Sequence, residues 1–301
     1  MYFFGIGAMI LVGISWTIYG YVMGKAPKEN IRISCLMILS AFLAGLVSLV
    51  IGMVQGFPQT DNRFLLLALG SQFACGIINY VQLDLMSRAM QKGPNGIIWS
   101  IMQSGFIFPF FMGVIFFSVP LTPMRLAGVT SMLIALALFG GGPNHGQYGK
   151  WKLLTFGAFL CTGGAQSLCN LPSYYPEAEA VSSVWRTMAF SFGMSAGGLL
   201  FELPRKMDFV RDMADHLRRG RVWINCAILE IPELFSSFCL IYPGMDILSK
   251  LGIGSIAYPL MVGSCIIFFE LFSIIILREK RRWPQWAALA LCLAGAACIS
   301  L

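Results

Sequence analysis

Apolar stretches of nearly constant length follow one another along the chain, separated by short polar segments. Hydrophobic runs occupy 2–22, 33–55, 64–87, 95–118, 124–141, 151–172, 182–203, 222–243, 254–277 and 284–300. Each approaches the roughly 20 residues that a helix needs to cross a hydrocarbon core of about 30 Å. The pattern therefore predicts ten transmembrane helices in an all-α membrane protein. They use nearly the whole chain and leave no segment for a separate soluble domain. The first run is already of spanning length, so no cleavable presequence is expected.

The two halves echo each other. Asp84-Leu-Met-Ser-Arg88 ends the third run and Asp246-Ile-Leu-Ser-Lys250 ends the eighth. Gly93 and Gly96 precede Trp99 as Gly252 and Ser255 precede Tyr258, and Thr122–Gly128 parallels Trp283–Leu289. Halves 1–142 and 150–301 would each hold five helices, and an odd number places the copies in opposite orientations across the bilayer. That is the inverted-repeat arrangement of secondary transporters, with the solute held near the midplane. A chance likeness of apolar sequence is the competing reading. The Asp84/Arg88 and Asp246/Lys250 pairs, four residues apart, read as solvated helix-end ion pairs.

Composition sharpens the class: 57% of residues are hydrophobic and only 12% charged, about half the charged share of a soluble domain. The net charge of +7 is a topology signal and no nucleic-acid footprint, because the bases sit in loops between apolar runs. Odd-numbered loops hold Lys25, Lys28, Arg32, Arg88, Lys92, Lys150, Lys152, Arg205, Lys206, Arg211, Arg218, Arg219, Arg221, Arg278, Lys280, Arg281 and Arg282; the other side has only Arg63, Arg125, Arg186 and Lys250. Odd loops should face the cytoplasm, and both termini should lie outside. The nine cysteines fall in or beside the runs and read as small packing residues. Neither they nor His145 and His216 show metal-ligand spacing, and no phosphate loop is present, so no metal, cofactor or ATP hydrolysis is indicated. Gly163, Gly164, Gly197, Gly198 and Ala294–Ala297 suit close helix packing. In Phe209–Gly220, Phe209, Val210, Met213 and Leu217 recur at helical spacing beside bases, predicting a helix lying on the cytoplasmic surface. Such a helix serves surface anchoring, with partner binding or regulation as the alternative.

The chemistry lies in the few polar groups inside the runs. At about 1.5 Å of rise per residue, Glu230 lies roughly 14 Å beyond Arg221, near the middle of the core. A charge there costs at least about 3 kcal/mol unless it is protonated, paired or facing water. Glu233 follows one turn later, and Pro232 between them is expected to kink or break the helix and free carbonyls. Glu270 is about 12 Å in from Arg278 by the same rise. Three mid-depth acids suggest proton or cation coupling, and hydrogen bonding to a neighbouring helix is the structural alternative. Gln72, Asn79, Gln82, Gln103, Gln166 and Asn170 offer amide donors and acceptors suited to sugars or zwitterions, or to interhelical hydrogen bonds. Trp16, Tyr19, Trp99 and Tyr258 suit stacking on a ring or cation, or interface filling. Trp185 and Arg186 read as an aromatic anchor and a snorkelling base near the outer surface.

The end of the chain, Leu277-Arg-Glu279-Lys-Arg-Arg-Trp-Pro284-Gln285-Trp286 followed by a small-residue helix through Gly295, resembles the closing segment of the EamA-like repeats of the drug/metabolite transporter superfamily. Pro120–Gly128 is the first-half counterpart but lacks the Glu, and Trp286-Ala-Ala departs from the usual Gly soon after the Trp. The run Gly76-Ile-Ile-Asn79-Tyr80 and the outward termini look closer to the L-rhamnose/proton symporter group. The resemblance implies a ten-helix inverted repeat with a central cavity and proton-coupled movement of a small polar solute. The expected protein is thus a secondary transporter of the cytoplasmic (inner) membrane, moving a polar metabolite such as a sugar, with Glu230, Glu233 and Glu270 as proton or cation sites. An exporter of amino acids or cationic drugs, binding them directly at these acids, is the alternative. An intramembrane enzyme or sensor is the reading from another class, against which the repeat argues.

Overall fold

A computed structural model describes residues 1–140, 150–204, 208–276, 278 and 282–300. Arg205, Lys206, Glu279, Lys280, Arg281 and His145 lie outside the described residues, as do the side chains of Lys28, Lys150 and Ala296. Regular structure among the described residues is helical throughout. The principal helices are α1 (Tyr2–Lys25), α2 (Ile33–Gln55), α3 (Asn62–Met90), α4 (Asn95–Gln103), α5 (Ile107–Phe116), α6 (Pro123–Gly140) and α7 (Lys150–Asn170), then α8 (Ser183–Glu202), α9 (Phe209–Leu217), α10 (Gly220–Ser236), α11 (Tyr242–Lys250), α12 (Ala257–Ile275) and α13 (Trp283–Ser300).

Among the described residues, six segments are long and apolar enough to cross a bilayer: Tyr2–Val22, Ile33–Gln55, Asn62–Met90, Ile97–Phe116, Gly220–Lys250 and Gly254–Phe272. Pro123–Ala135 and Trp283–Ile299 are shorter apolar helices. Helices α7 and α8 have 21 and 20 residues, but Thr162, Gln166 and Asn170 in one and Arg186, Thr187 and Ser191 in the other dilute their apolarity. This is an all-α protein built for a membrane.

Two of the long segments are interrupted midway. Between α4 and α5, Ser104–Phe106 tightens into a 3₁₀ turn; Pro109 has no N–H for the carbonyl of Gly105, which lies against the α7 backbone at Phe159 and Gly163. Between α10 and α11, Ser237–Ile241 widens into a π turn just before Pro243, whose missing N–H frees the carbonyl of Cys239. The expectation for Pro232 needs correcting, because α-helical geometry runs through it to Ser236 and the irregularity falls one turn further on.

Glycines set the tightest contacts. A Cβ on Gly76 would strike the backbone of Phe190 and Met194, and one on Gly193 would strike the backbone of Phe73, so α3 and α8 touch main chain to main chain. Gly128 and Gly295 do the same between α6 and α13. Gly163, Gly197 and Gly198 are packed as expected, against Phe108, Ile77 and Ile38, whereas nothing lies within 4 Å of the Gly164 Cβ position. Around these seams α3 packs on α7 and α8, α2 on α8, α1 on α12, α11 and α10, and α6 on α13. The helix predicted in the seventh loop is α9, but its inward face is Phe209, Met213 and His216; Val210 and Leu217 are exposed. Polar anchoring explains the difference, since His216 and Asp212 bind Arg32 at the start of α2.

Candidate functional site

The two interrupted segments, together with α1, α3, α7, α8 and α12, line a cavity that offers about 100 Å³ to water-sized groups. Trp16 and Tyr19 reach it from α1, Asn79 and Gln82 from α3, and Trp99 and Gln103 from α4. Gln166 comes from α7, Glu233 from α10 and Tyr258 from α12. Nine of the thirteen candidate residues thus share one space. Phe190, Ser237 and Tyr242 also line it and were not singled out from sequence. Tyr242 carried a signal, an aromatic residue before Pro243 at the end of an apolar run; Phe190 carried none.

The amides, buried except for the half-buried Asn79, are weakly engaged. Asn79 Nδ2 meets Met194 Sδ at 3.7 Å, Gln82 Nε2 meets Met102 Sδ at 3.6 Å and Gln103 Nε2 meets Cys265 Sγ at 4.0 Å. Sulfur is a poor acceptor, so these donors retain most of their hydrogen-bonding capacity. Gln166 Nε2 donates to Gln103 Oε1 at 3.4 Å, while Gln166 Oε1 is buried without a partner. Trp99 is held flat on Phe269, with ring centroids 4.9 Å apart, and donates to Cys265 Sγ at 3.2 Å. The walls combine fixed aromatic faces, underused amides and the single carboxylate of Glu233.

The three mid-depth acids occupy three environments. Glu233 faces the main cavity and accepts from Ser237 Oγ at 3.4 Å. Glu230 is buried and faces a narrow side chamber with room for about 10 Å³, bounded by Tyr19, Thr187, Ser191, Glu233 and Ser237. Glu270 lies in neither space; it accepts from Ser100 Oγ of α4 at 3.1 Å, which is the helix-to-helix hydrogen bond posed as the alternative. Asn170 is also outside the cavity, with Nδ2 donating to Tyr174 Oη at 3.3 Å.

Charged residues fasten the two ends of the bundle. At one end Arg32 binds Glu202 of α8 at 2.6 Å and Asp212 of α9, its ring neighbour is Phe209, and its N–H donates to His216 Nε2 at 2.9 Å. Partial burial opposes the charge on Arg32, yet its hydrogen bonds to Glu202 and Asp212 outweigh this and hold the guanidinium above its ordinary pKa. At the other end Arg186 is 1% exposed, so it does not snorkel to the surface. It donates to Asp246 Oδ1 at 3.0 Å and to the Ala178 carbonyl at 2.9 Å, with its guanidinium over the Tyr242 ring. Trp185 is also buried, donating to the Gly56 carbonyl at 3.0 Å. Asp84 and Arg88 pair as expected at 2.9 Å, but Lys250 binds Glu179 at 2.8 Å because Arg186 holds Asp246. Gln72 lies behind Tyr242, accepting from its hydroxyl at 3.1 Å.

Comparison with known proteins adds the fold alone. No family profile matches the sequence, and no curated protein does. A solved structure described as "Crystal structure of protein" is similar at a TM-score of 0.60 and 16% identity, over 97% of this chain and 98% of that one.

Proposed function

We infer that this chain is a secondary active transporter of the drug/metabolite type, with ten membrane helices in two inverted five-helix halves. It moves a small polar metabolite such as a sugar across the cytoplasmic membrane by alternating access. The observation that carries this reading is the cavity: buried amides, aromatic faces and one acid meet where two helices are interrupted, the arrangement that discontinuous helices build at transporter midplanes.

Helix packing supports the repeat. Exchanging α1 with α7, α2 with α8, α3 with α10 and α11, α4 and α5 with α12, and α6 with α13 maps the contacts onto one another. The α2/α8 and α6/α13 pairs map onto themselves, α3/α7 onto α1 with α10 and α11, and α1/α12 onto α7 with α4 and α5. Arg32 and Arg186 then occupy matching places at the starts of α2 and α8, and each closes its own end of the bundle.

Glu233 is the coupling group in this reading, since it alone among the mid-depth acids faces the solute space, with Glu230 in the chamber behind it. Its place among Trp16, Tyr19 and Tyr242 favours the second reading, export of amines or amino acids held by carboxylate and ring faces. Protein in liposomes, given a panel of sugars, amino acids and organic cations with and without a pH gradient, separates the two. Solute-dependent current enhanced by the gradient supports proton coupling, and absence of flux for every solute counts against transport.

A further inference from the structure

We propose that Gln166 determines solute specificity: its Oε1 receives a hydroxyl or amine donor, and the cavity admits neutral or cationic hydroxyl- and amine-bearing solutes while rejecting carboxylates and phosphates. The proposal rests on the reading of this cavity as the solute site.

Gln166 lines the cavity and is 7% exposed, and its carbonyl oxygen is buried with no hydrogen-bond partner. A buried acceptor left in that state costs about 1–3 kcal/mol, which a donor on the solute recovers. Its amide nitrogen donates to Gln103 Oε1 at 3.4 Å, and the group left without a partner is an acceptor. The second strong acceptor is Glu233, on a helix with different packing neighbours, so the cavity presents two acceptors from separate walls.

Charge decides the rest. No lysine or arginine lines the cavity among the described residues, and the buried cation Arg186 is committed to Asp246 and the Ala178 carbonyl. An anionic solute would meet Glu233 and the amide oxygen without a counter-charge in surroundings that screen poorly. A hydroxyl or ammonium donor meets both favourably, and its own oxygens can draw the Asn79 and Gln82 N–H groups from their sulfur partners.

The test is equilibrium binding to purified protein, read by tryptophan fluorescence because Trp16 and Trp99 line the cavity. The probes are D-glucose against D-glucuronate and the fully methylated, donor-free penta-O-methyl-glucose, and ethanolamine against phosphoethanolamine. The expected result is binding of glucose or ethanolamine with at least tenfold weaker binding of the anionic partner. Gln166→Met should weaken binding of the donor-bearing probe about tenfold or more and leave the O-methylated sugar unchanged, whereas Gln166→Glu, which keeps an acceptor, should restore donor binding to within a few fold. Stronger binding of an anion, equal affinity in Gln166→Met, or no binding by any probe would overturn the proposal. Binding with this pattern but without flux in liposomes would instead sink the transport reading.

Discussion

Glu230, Glu233 and Glu270 show how much three chemically identical residues at similar depth differ once their neighbours are known. Only Glu233 meets the solute space, so Glu233→Gln should abolish accumulation driven by a pH gradient while leaving solute exchange, which needs no net proton movement. Glu270→Ala, which strands the Ser100 hydroxyl, should lower thermal stability and leave the pH dependence of uptake intact. Uptake against pH in liposomes, beside melting curves, checks both. The sequence revealed that the acids are deep, since depth follows from counting residues from a charged loop. It did not reveal that Glu270 turns away, because direction around a helix axis matters only once the neighbouring helix is placed.

At the scale of elements, interruptions and seams position the site. The break near Glu233 was legible in kind, as proline in a span, but not in place: Pro232 is accommodated within α10, and Pro243 lies beyond the π turn. The seams were half legible. Gly197, Gly198 and Gly295 were recognised as packing positions, whereas Gly76 and Gly193 draw their meaning from a backbone on another helix. Gly193→Leu should cost about 1–3 kcal/mol or more through overpacking against Phe73, and Gly164→Ala, with open space at its Cβ, should stay within about 0.5 kcal/mol. Unfolding in detergent by denaturant measures the difference. Asp246→Asn should destabilise by about 3 kcal/mol or more, because it leaves the buried Arg186 charge without its counter-charge.

For the whole molecule, the all-helical character was legible because lipid leaves the backbone few options besides helix, and six of the described segments are long and apolar enough to span. The cavity's membership was legible too, since mid-run amides and acids had to point somewhere other than lipid. Which aromatic residues joined them was not, as Phe190 shows. The loop bases predict outward termini: reporters active on only one side, fused to either end, should function outside the cytoplasm, and a C-terminal fusion active only in the cytoplasm would reverse the topology. The main-chain contact of α3 with α8 also bears on redesign. Asn79 lies three residues beyond Gly76 and Phe190 three before Gly193, so two walls of the cavity are pinned at a spacing that no side-chain trimming along the seam can widen. Room for a bulkier cargo must come from the inward-facing rings: Phe190→Ala should admit larger solutes in a competition assay, and no substitution at either glycine should do so.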